Sequence, residues 1–362
     1  MQHRRLGRTD LQVSAIGFGA MQIPRVPADT AVAAINRALD LGVNYIDTAR
    51  VYGDSEDKIG MVMKTRRDEC IISSKTIENE APGALKSLDE SLKALQTEKI
   101  DIYCCHGTNL MRRYERIMMR GGAVEALRKA KAQGKIDFIG FSSHWNLEMI
   151  KAMIRSDEFD MMIVPYNLVD VEGMGEEAIP LAKERDVGVV TMKPLWGGRL
   201  TTPGGRETPE VPHDPILKAC LKYNLSNDAI SSVIPGMTTP QNAETCAPVG
   251  DVTDKITEHE KRWLYEELGK QGKGYCLQCG YCMPCPEGVD IPRIYAARHH
   301  FMDYPQETGY LGANEYSNIQ EKADKCNECG ECEKKCPAHL PIVKEIKETA
   351  EKIEPVLAAR ER

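Results

Sequence analysis

The chain predicts an α/β protein: a closed (β/α)8 barrel followed by a small, mainly helical domain. Three observations carry that expectation. From about residue 15, eight short β-branched runs alternate with amphipathic helical stretches over roughly 250 residues, the pattern of a parallel sheet wrapped by helices. The first run lacks the three-glycine turn of a doubly wound nucleotide-binding sheet. Beyond the eighth run strand-like stretches become few, and eight of the thirteen cysteines crowd between Cys276 and Cys336.

In order, the expected strands are Ala15–Ala20, Asn44–Ala49, Cys70–Lys75, Ile100–His106, Ile136–Ser143, Met161–Asn167, Gly188–Pro194 and Ser231–Gly236. Helix candidates between them place apolar residues three and four apart, as in Leu85, Leu88, Leu92 and Leu95, or Ala123, Leu127 and Ala130. Gly42 and Gly134 stand where helices should stop before a strand. An open doubly wound sheet is the alternative. Against it, Gly17-Phe18-Gly19-Ala20-Met21-Gln22 has no third glycine, and its two glycines read as tight packing at a barrel mouth. After the eighth strand, Thr257 to Gly269 reads as a charged helix, broken by Gly272-Lys273-Gly274. The expected divisions are residues 1–268 for the barrel, 269–345 for the cysteine-rich domain and 346–362 for a helical tail. Ile291–Asp303, entered through Pro292, is helix-like, and Ile342–Arg362 reads as a further solvated helix.

At 362 residues the chain suits one large domain and a small appendage. A net charge of −7 argues against a broad electrostatic grip on nucleic acid or anionic lipid, so neither is expected as a partner. Arg112, Arg113, Arg116 and Arg120 form a local basic patch whose ordinary reading is a solvated face. There is no uninterrupted apolar run long enough to cross a bilayer as a helix. The start Met-Gln-His-Arg-Arg carries no apolar signal segment and the cysteine total is odd, which disfavours disulfides and makes a reducing cytoplasm the expected location.

The second cysteine run, Cys326-x2-Cys329-x2-Cys332-x3-Cys336-Pro337, has the spacing by which bacterial-type ferredoxins hold [4Fe–4S] clusters. Three close thiolates grip one face of a cubane and a fourth, from the other run, completes it. The first run, Cys276-x2-Cys279-x2-Cys282-x2-Cys285-Pro286, is one residue shorter before its last cysteine, a change that touches mainly the exchanged ligand. Paired C-x2-C units also build zinc sites. Zinc does not require the third close cysteine and following proline that both runs have, so iron–sulfur is the stronger reading. Two clusters are expected, one on Cys276, Cys279, Cys282 and Cys336, the other on Cys326, Cys329, Cys332 and Cys285. The helical character between the runs resembles the α-helical ferredoxin arrangement. Cys104 and Cys105 read as barrel wall, while Cys70, Cys220 and Cys246 have no partner spacing.

Active groups of (β/α)8 barrels sit at the carboxyl ends of the strands, and four reactive side chains fall there in sequence. Asp47 ends the second strand, Tyr52 follows in the loop, Lys75 ends the third and His106 ends the fourth. Alone, each has a bland reading: a helix cap, a packed loop tyrosine, a satisfied structural histidine. Their joint placement points to one site.

These residues and their context, Asn44-Tyr45-Ile46-Asp47-Thr48-Ala49 with Tyr52-Gly53 and Ser55-Glu56, resemble the aldo-keto reductase family. Leu6-Gly7-Arg8-Thr9 and Val13-Ser14 are similar to that family's opening hairpin, and the resemblance extends over about residues 3 to 246. It implies that Tyr52 is the general acid, Lys75 and Asp47 its tuning pair, and His106 the group that orients the substrate carbonyl. Physical chemistry agrees. A ketone accepting hydride develops alkoxide character, so a nearby proton donor lowers the barrier, and an adjacent ammonium stabilises the phenolate that remains.

The resemblance further implies a nicotinamide site. It would use Ser142 and Ser143 after the fifth strand, Asn167 after the sixth and Met192 at the end of the seventh, where Lys193 beside it is placed to meet a phosphate of NADH or of a flavin. Gly197, Gly198, Arg199 and Leu200 would wrap the pyrophosphate, and Gly236 and Gln241 would lie beyond the eighth strand. The chain departs from the family pattern at Ser143, where an asparagine is usual, and at Met192, where a tyrosine usually stacks on the ring. Gly236-Met237-Thr238-Thr239-Pro240-Gln241-Asn242 brings no lysine or arginine for a 2′-phosphate. NADH, NADPH and a flavin all stay open as the barrel cofactor. The expected function is an oxidoreductase that interconverts a carbonyl and an alcohol, exchanges electrons with the two clusters, and works with a small-molecule substrate and a redox partner protein. The alternative is a redox-sensing or binding protein whose clusters are structural.

Overall fold

The computed structural model describes residues 1–169, 173–198, 200, 214–270, 275–303 and 309–360, which group into two compact units, one running to Ile256 and the other starting at Thr257. All eight expected strands are present: Phe18–Gly19, Tyr45–Asp47, Ile71–Thr76, Ile100–Cys105, Ile136–Ser142, Met161–Pro165, Gly188–Met192 and Ser232–Ile234. They lie parallel in sequence order. The sheet closes where Ile16 bridges Val233 and Gly19 bridges Gly236, with Gly17 N donating to Val233 O at 2.8 Å. Closure needs both glycines of the first strand. A Cβ on Gly17 would stand 2.8 Å from the Tyr45 ring, and one on Gly19 would stand 2.8 Å from Pro235 O.

An antiparallel hairpin, His3–Arg5 with Gln12–Ser14, precedes the barrel. Its fully buried Leu6 packs with Tyr45, Ile102, Cys104, Met161, Ile163 and Val190 in the barrel interior. The larger core lies outside the barrel wall, where Ile46, Ile72, Tyr103, Cys105 and Met162 meet the surrounding helices. Strand alternation thus sorts the residues. Tyr45 points inward and Ile46 outward, so Asp47 returns to the interior; by the same period of two, Lys75 follows Ser73, and His106 follows Cys104.

Among the described residues the second unit has helices and no strand. Its core gathers Val289, Ile291, Ile294, Tyr295, Tyr316, Ile319, Leu340, Ile342 and Ile346, with six of the cluster-motif cysteines packed against it. The helix Ile291–Arg298 starts as its sequence requires, with the Asp290 side chain accepting from Arg293 N at 3.3 Å and Pro292 in its first turn. Two boundaries differ from expectation. The helix Glu258–Lys270 groups with the second unit, because Gly269 packs so closely on the segment after Cys336 that a Cβ there would overlap Pro337 O. The helix Ile342–Arg360 runs straight through the expected division at residue 346. Rather than being solvated all round, it buries Ile342, Ile346, Thr349 and Ile353, one face at spacings of four, three and four.

Candidate active site and cluster-binding loops

The four strand-end side chains come together at the carboxyl end of the barrel. Lys75 Nζ donates to Asp47 Oδ2 at 2.7 Å and to Thr48 O at 2.6 Å, and it lies 5.2 Å above the centroid of the Tyr52 ring. Tyr52 Oη stands 3.5 Å from His106 Nε2, with the two rings edge to face. Asp47 and Lys75 are almost wholly buried. Burial works against the Lys75 ammonium, but Asp47, and beyond it Tyr52, more than offset it and hold the lysine above its ordinary value. Burial raises the Tyr52 phenol, with the Lys75 charge opposing, so the hydroxyl keeps its proton at neutral pH.

His106 is different. Burial, then the Lys75 charge, with His144 and Arg113 adding to it, lowers it to about 3. The imidazole is therefore neutral, and the Nε2–H tautomer aims a donor at the same point as the phenol. His144 is likewise held at about 3, by burial and by Lys193 and Lys75. Both histidines protonate in the unfolded chain near ~6.5, so the unfolded state binds more protons between that value and about 3. Stability is then full above pH ~6.5 and falls as pH drops through that window, by roughly 1.4 kcal/mol per histidine per unit. Urea unfolding at pH 7 and 5.5 checks this. His144→Gln is expected to flatten the slope, and an unchanged slope contradicts the account.

The remaining candidate residues are placed unevenly. Asn167 Nδ2 donates to Lys193 O at 3.2 Å while its Oδ1 accepts from Val169 N at 2.8 Å, so it ties the sixth strand end to the seventh. The loop beyond winds through the left-handed region at Lys193, Trp196, Gly197 and Gly198, and Leu200 is buried beneath it. Within this turn Trp196 N donates to Lys193 O at 2.8 Å and Gly198 N to Leu195 O at 3.0 Å, so these N–H groups hold the loop's own shape. Arg199 lies outside the described residues. Ser142 Oγ accepts from Gly107 N at 2.9 Å, and Ser143 Oγ bonds Asn109 Oδ1 and Trp145 O. Met192 is partly exposed at its strand end, whereas Gly236 and Gln241 are exposed. Sequence reasoning passed over Asn109, which accepts from both Ser143 Oγ and His144 N and so joins the loops after the fourth and fifth strands. A lone loop asparagine gives no pattern by which to find it.

In the second unit one cavity is lined by Cys276, Cys279, Cys282 and Cys336, and another by Cys282, Cys285, Cys326, Cys329 and Cys332. The two runs share a local fold. Gln278 and Glu328, each just before the second cysteine, are left-handed, as are Gly280 and Gly330 just after it. No atom crowds either glycine, so the dihedral rather than space is what calls for glycine there. The repeat behind this geometry, Cys-x-Gln/Glu-Cys-Gly-x-Cys, was visible in the sequence as internal similarity. Gln278 N points at Cys276 Sγ at 3.4 Å, the type of contact that tunes cluster potentials. Burial pushes the Cys276 thiol up and Cys282 to about 12, with neighbouring cysteines adding to both. Thiols standing around a cavity suit a cube, where each binds a different iron; zinc draws its thiolates to ~2.3 Å of one ion.

A parallel eight-stranded barrel with this mouth, joined to a cysteine-rich helical unit, defines an oxidoreductase class of protein. Comparison with known proteins narrows it. The Aldo/keto reductase family matches residues 15–216, and a 4Fe-4S dicluster domain matches residues 275–341. L-galactose dehydrogenase of Arabidopsis thaliana is 32% identical over 285 residues, covering 67% of this chain and 85% of that one. An aldo-keto reductase of Bacillus subtilis is 26% identical, covering 74% and 82%. Among solved structures, the holo form of aldo-keto reductase AKR11C1 from Bacillus halodurans superposes with a TM-score of 0.62 at 26% identity, over 74% of this chain and 96% of that one. The chain belongs to the aldo/keto reductase family and carries in addition a 4Fe-4S dicluster domain. Among the described residues no helix is long and apolar enough to cross a membrane.

Proposed function

We propose that the barrel interconverts a small carbonyl compound and its alcohol, and that the eight clustered cysteines hold two [4Fe–4S] clusters with which that reaction exchanges electrons. The observation that carries the first part is the convergence of a buried Lys75–Asp47 pair, a protonated Tyr52 and a neutral His106 on one point. Tyr52 gives its proton to the forming alkoxide, and Lys75, 5.2 Å from the ring, steadies the phenolate left behind. Asp47, receiving from Lys75, keeps the ammonium charged and in place. His106 Nε2–H holds the carbonyl oxygen in the geometry from which transfer succeeds. A barrel-bound nicotinamide or flavin would supply the hydride, held by Asn167, Lys193 and the left-handed loop Gly197-Gly198. The hydroxyl of Ser143 is already engaged with Asn109 and Trp145 O, so it ties the loops after the fourth and fifth strands together.

For the clusters, the supporting observation is that the two cavities gather the cysteines as the exchanged-ligand scheme requires, Cys336 with the first run and Cys285 with the second. Bound clusters pass single electrons. A redox partner protein and a reducing cytoplasm belong to the same reading. Anaerobically purified protein is expected to be brown and to contain about eight iron and about eight sulfide per chain; colourless protein containing zinc contradicts the assignment. Steady-state assay against a panel of aldehydes and ketones tests the barrel, and the absence of turnover with every cofactor class favours the sensor alternative.

A further inference from the structure

Four arginines, Arg112, Arg113, Arg116 and Arg120, fall close together after the fourth barrel strand, and the structure treats the first three differently. Arg112 is exposed, and Arg116, also exposed, pairs with Glu80 at 2.8 Å. Arg113 is partly withdrawn from solvent. Its Nη2 donates to Ile77 O at 2.6 Å, while the backbone of His106 donates to Thr76 O at 2.8 Å. Those acceptors are consecutive carbonyls directly after Lys75. The guanidinium is thus anchored to the strand end that carries Lys75, beside the peptide that fixes His106.

The charge of this arginine is not matched. Its Nε is buried without a hydrogen-bond partner, and among the described residues no carboxylate forms an ion pair with it. Glu78 exerts an attraction, yet its carboxylate lies against Gly83 in the first turn of the helix Ala81–Leu95. Burial lowers the pKa of Arg113, and its charge reaches His106. Leaving a cation half desolvated without a counterion is costly, and the planar fork of arginine suits a carboxylate or phosphate better than any neutral group. We propose that Arg113 is a specificity-determining residue that binds an anionic group, carboxylate or phosphate, carried by the carbonyl substrate. This rests on the carbonyl reading of the site, and the test separates the two.

The test compares anaerobically purified wild type, Arg113→Ala, Arg113→Lys and, as control, Arg112→Ala. Two substrate pairs are used, 4-oxobutanoate with butanal and glyceraldehyde 3-phosphate with glyceraldehyde. The anionic-to-neutral ratio of kcat/KM is expected to fall about 10–100-fold in Arg113→Ala for the pair that carries the right anion, the size of a lost hydrogen bond to a charged group. Arg113→Lys is expected to retain part of the preference and Arg112→Ala all of it. The responding pair tells carboxylate from phosphate. Equal loss on both members of each pair makes Arg113 a support for the Ile77 segment and overturns the proposal, as does an unchanged ratio in both. Calorimetry with butanoate, butanamide and inorganic phosphate provides a readout independent of turnover. If the wild type reduces neither these four carbonyls nor any of the wider aldehyde and ketone panel with any cofactor class, but binds butanoate or phosphate only when Arg113 is present, the carbonyl reading fails and the anion site stands. Anion binding that does not depend on Arg113 removes the anion site.

Discussion

Tyr52→Phe is expected to lower carbonyl turnover by at least about 10²–10³-fold, the effect of removing one donor at a developing oxyanion, and by more in so far as the donated proton itself is lost. The side chain is mostly enclosed, and its ring stays in place in the variant. The edge contact with His106 and the Lys75 contact above the ring both survive removal of the hydroxyl. Folding and ligand affinity should therefore change little while kcat collapses. The measurement is a kcat and KM pair for a validated substrate alongside thermal unfolding. A variant with wild-type kcat would move proton donation away from Tyr52. Lys75→Met is the companion test. It leaves Asp47 buried without its cation, so it should destabilise the barrel as well as slow the reaction, by the several kcal/mol typical of a broken buried pair.

Replacing Cys336 with serine is expected to damage the cluster held by the first run rather than the run in which Cys336 lies. Cys336 lines the cavity of Cys276, Cys279 and Cys282, and its charge acts on all three of those thiols. The paramagnetic signal lost in Cys336→Ser should match that lost in Cys276→Ser, with the Cys326→Ser signal different from both. Roughly half of the iron should go. Matching between Cys336→Ser and Cys326→Ser instead would assign each run its own cluster and contradict the exchange.

Much of this architecture was legible because the barrel repeats a simple rule. Eight short β-branched runs alternate with helices and the first lacks the third glycine of a doubly wound sheet, and a period of two then puts Asp47, Lys75 and His106 on the interior side at the strand ends. The glycines Gly17 and Gly19, read as packing rather than phosphate binding, sit where the first strand meets the eighth. The cysteine spacing was informative for a similar reason, since a cube of fixed size admits few loop lengths.

The rest depends on tertiary placement that local pattern does not encode. Arg113 sits among arginines that read as one solvated face, and only the position of Ile77 O turns it inward. Buried Glu56 accepts from Ser74 at 2.5 Å and pairs with Arg50, a network that joins the first turn of a helix to a strand and a loop. Lys193 and Trp196 adopt left-handed backbone that their residue types disfavour, held in part by Asn167 bonding the Lys193 carbonyl. The helix Ile342–Arg360 looked solvated because charged residues are spread along most of its length; its buried stripe is narrow, and Ile342, Ile346 and Ile353 suffice to seat it.

The central claim is that electrons pass between the barrel's reaction and the clusters of the second unit. Hydride carries two electrons and a cluster accepts one, so this transfer would require a carrier in the barrel able to give up single electrons, such as a flavin, with one electron passing to each of the two clusters. Anaerobic, oxidised holoprotein mixed with the alcohol form of a validated substrate, frozen rapidly and read by paramagnetic resonance, tests this directly. The account predicts that reduced-cluster signals rise on the timescale of turnover and are absent from Tyr52→Phe over the same interval. Clusters that stay oxidised while wild-type protein converts the substrate would contradict it and leave the second unit a structural or sensing role.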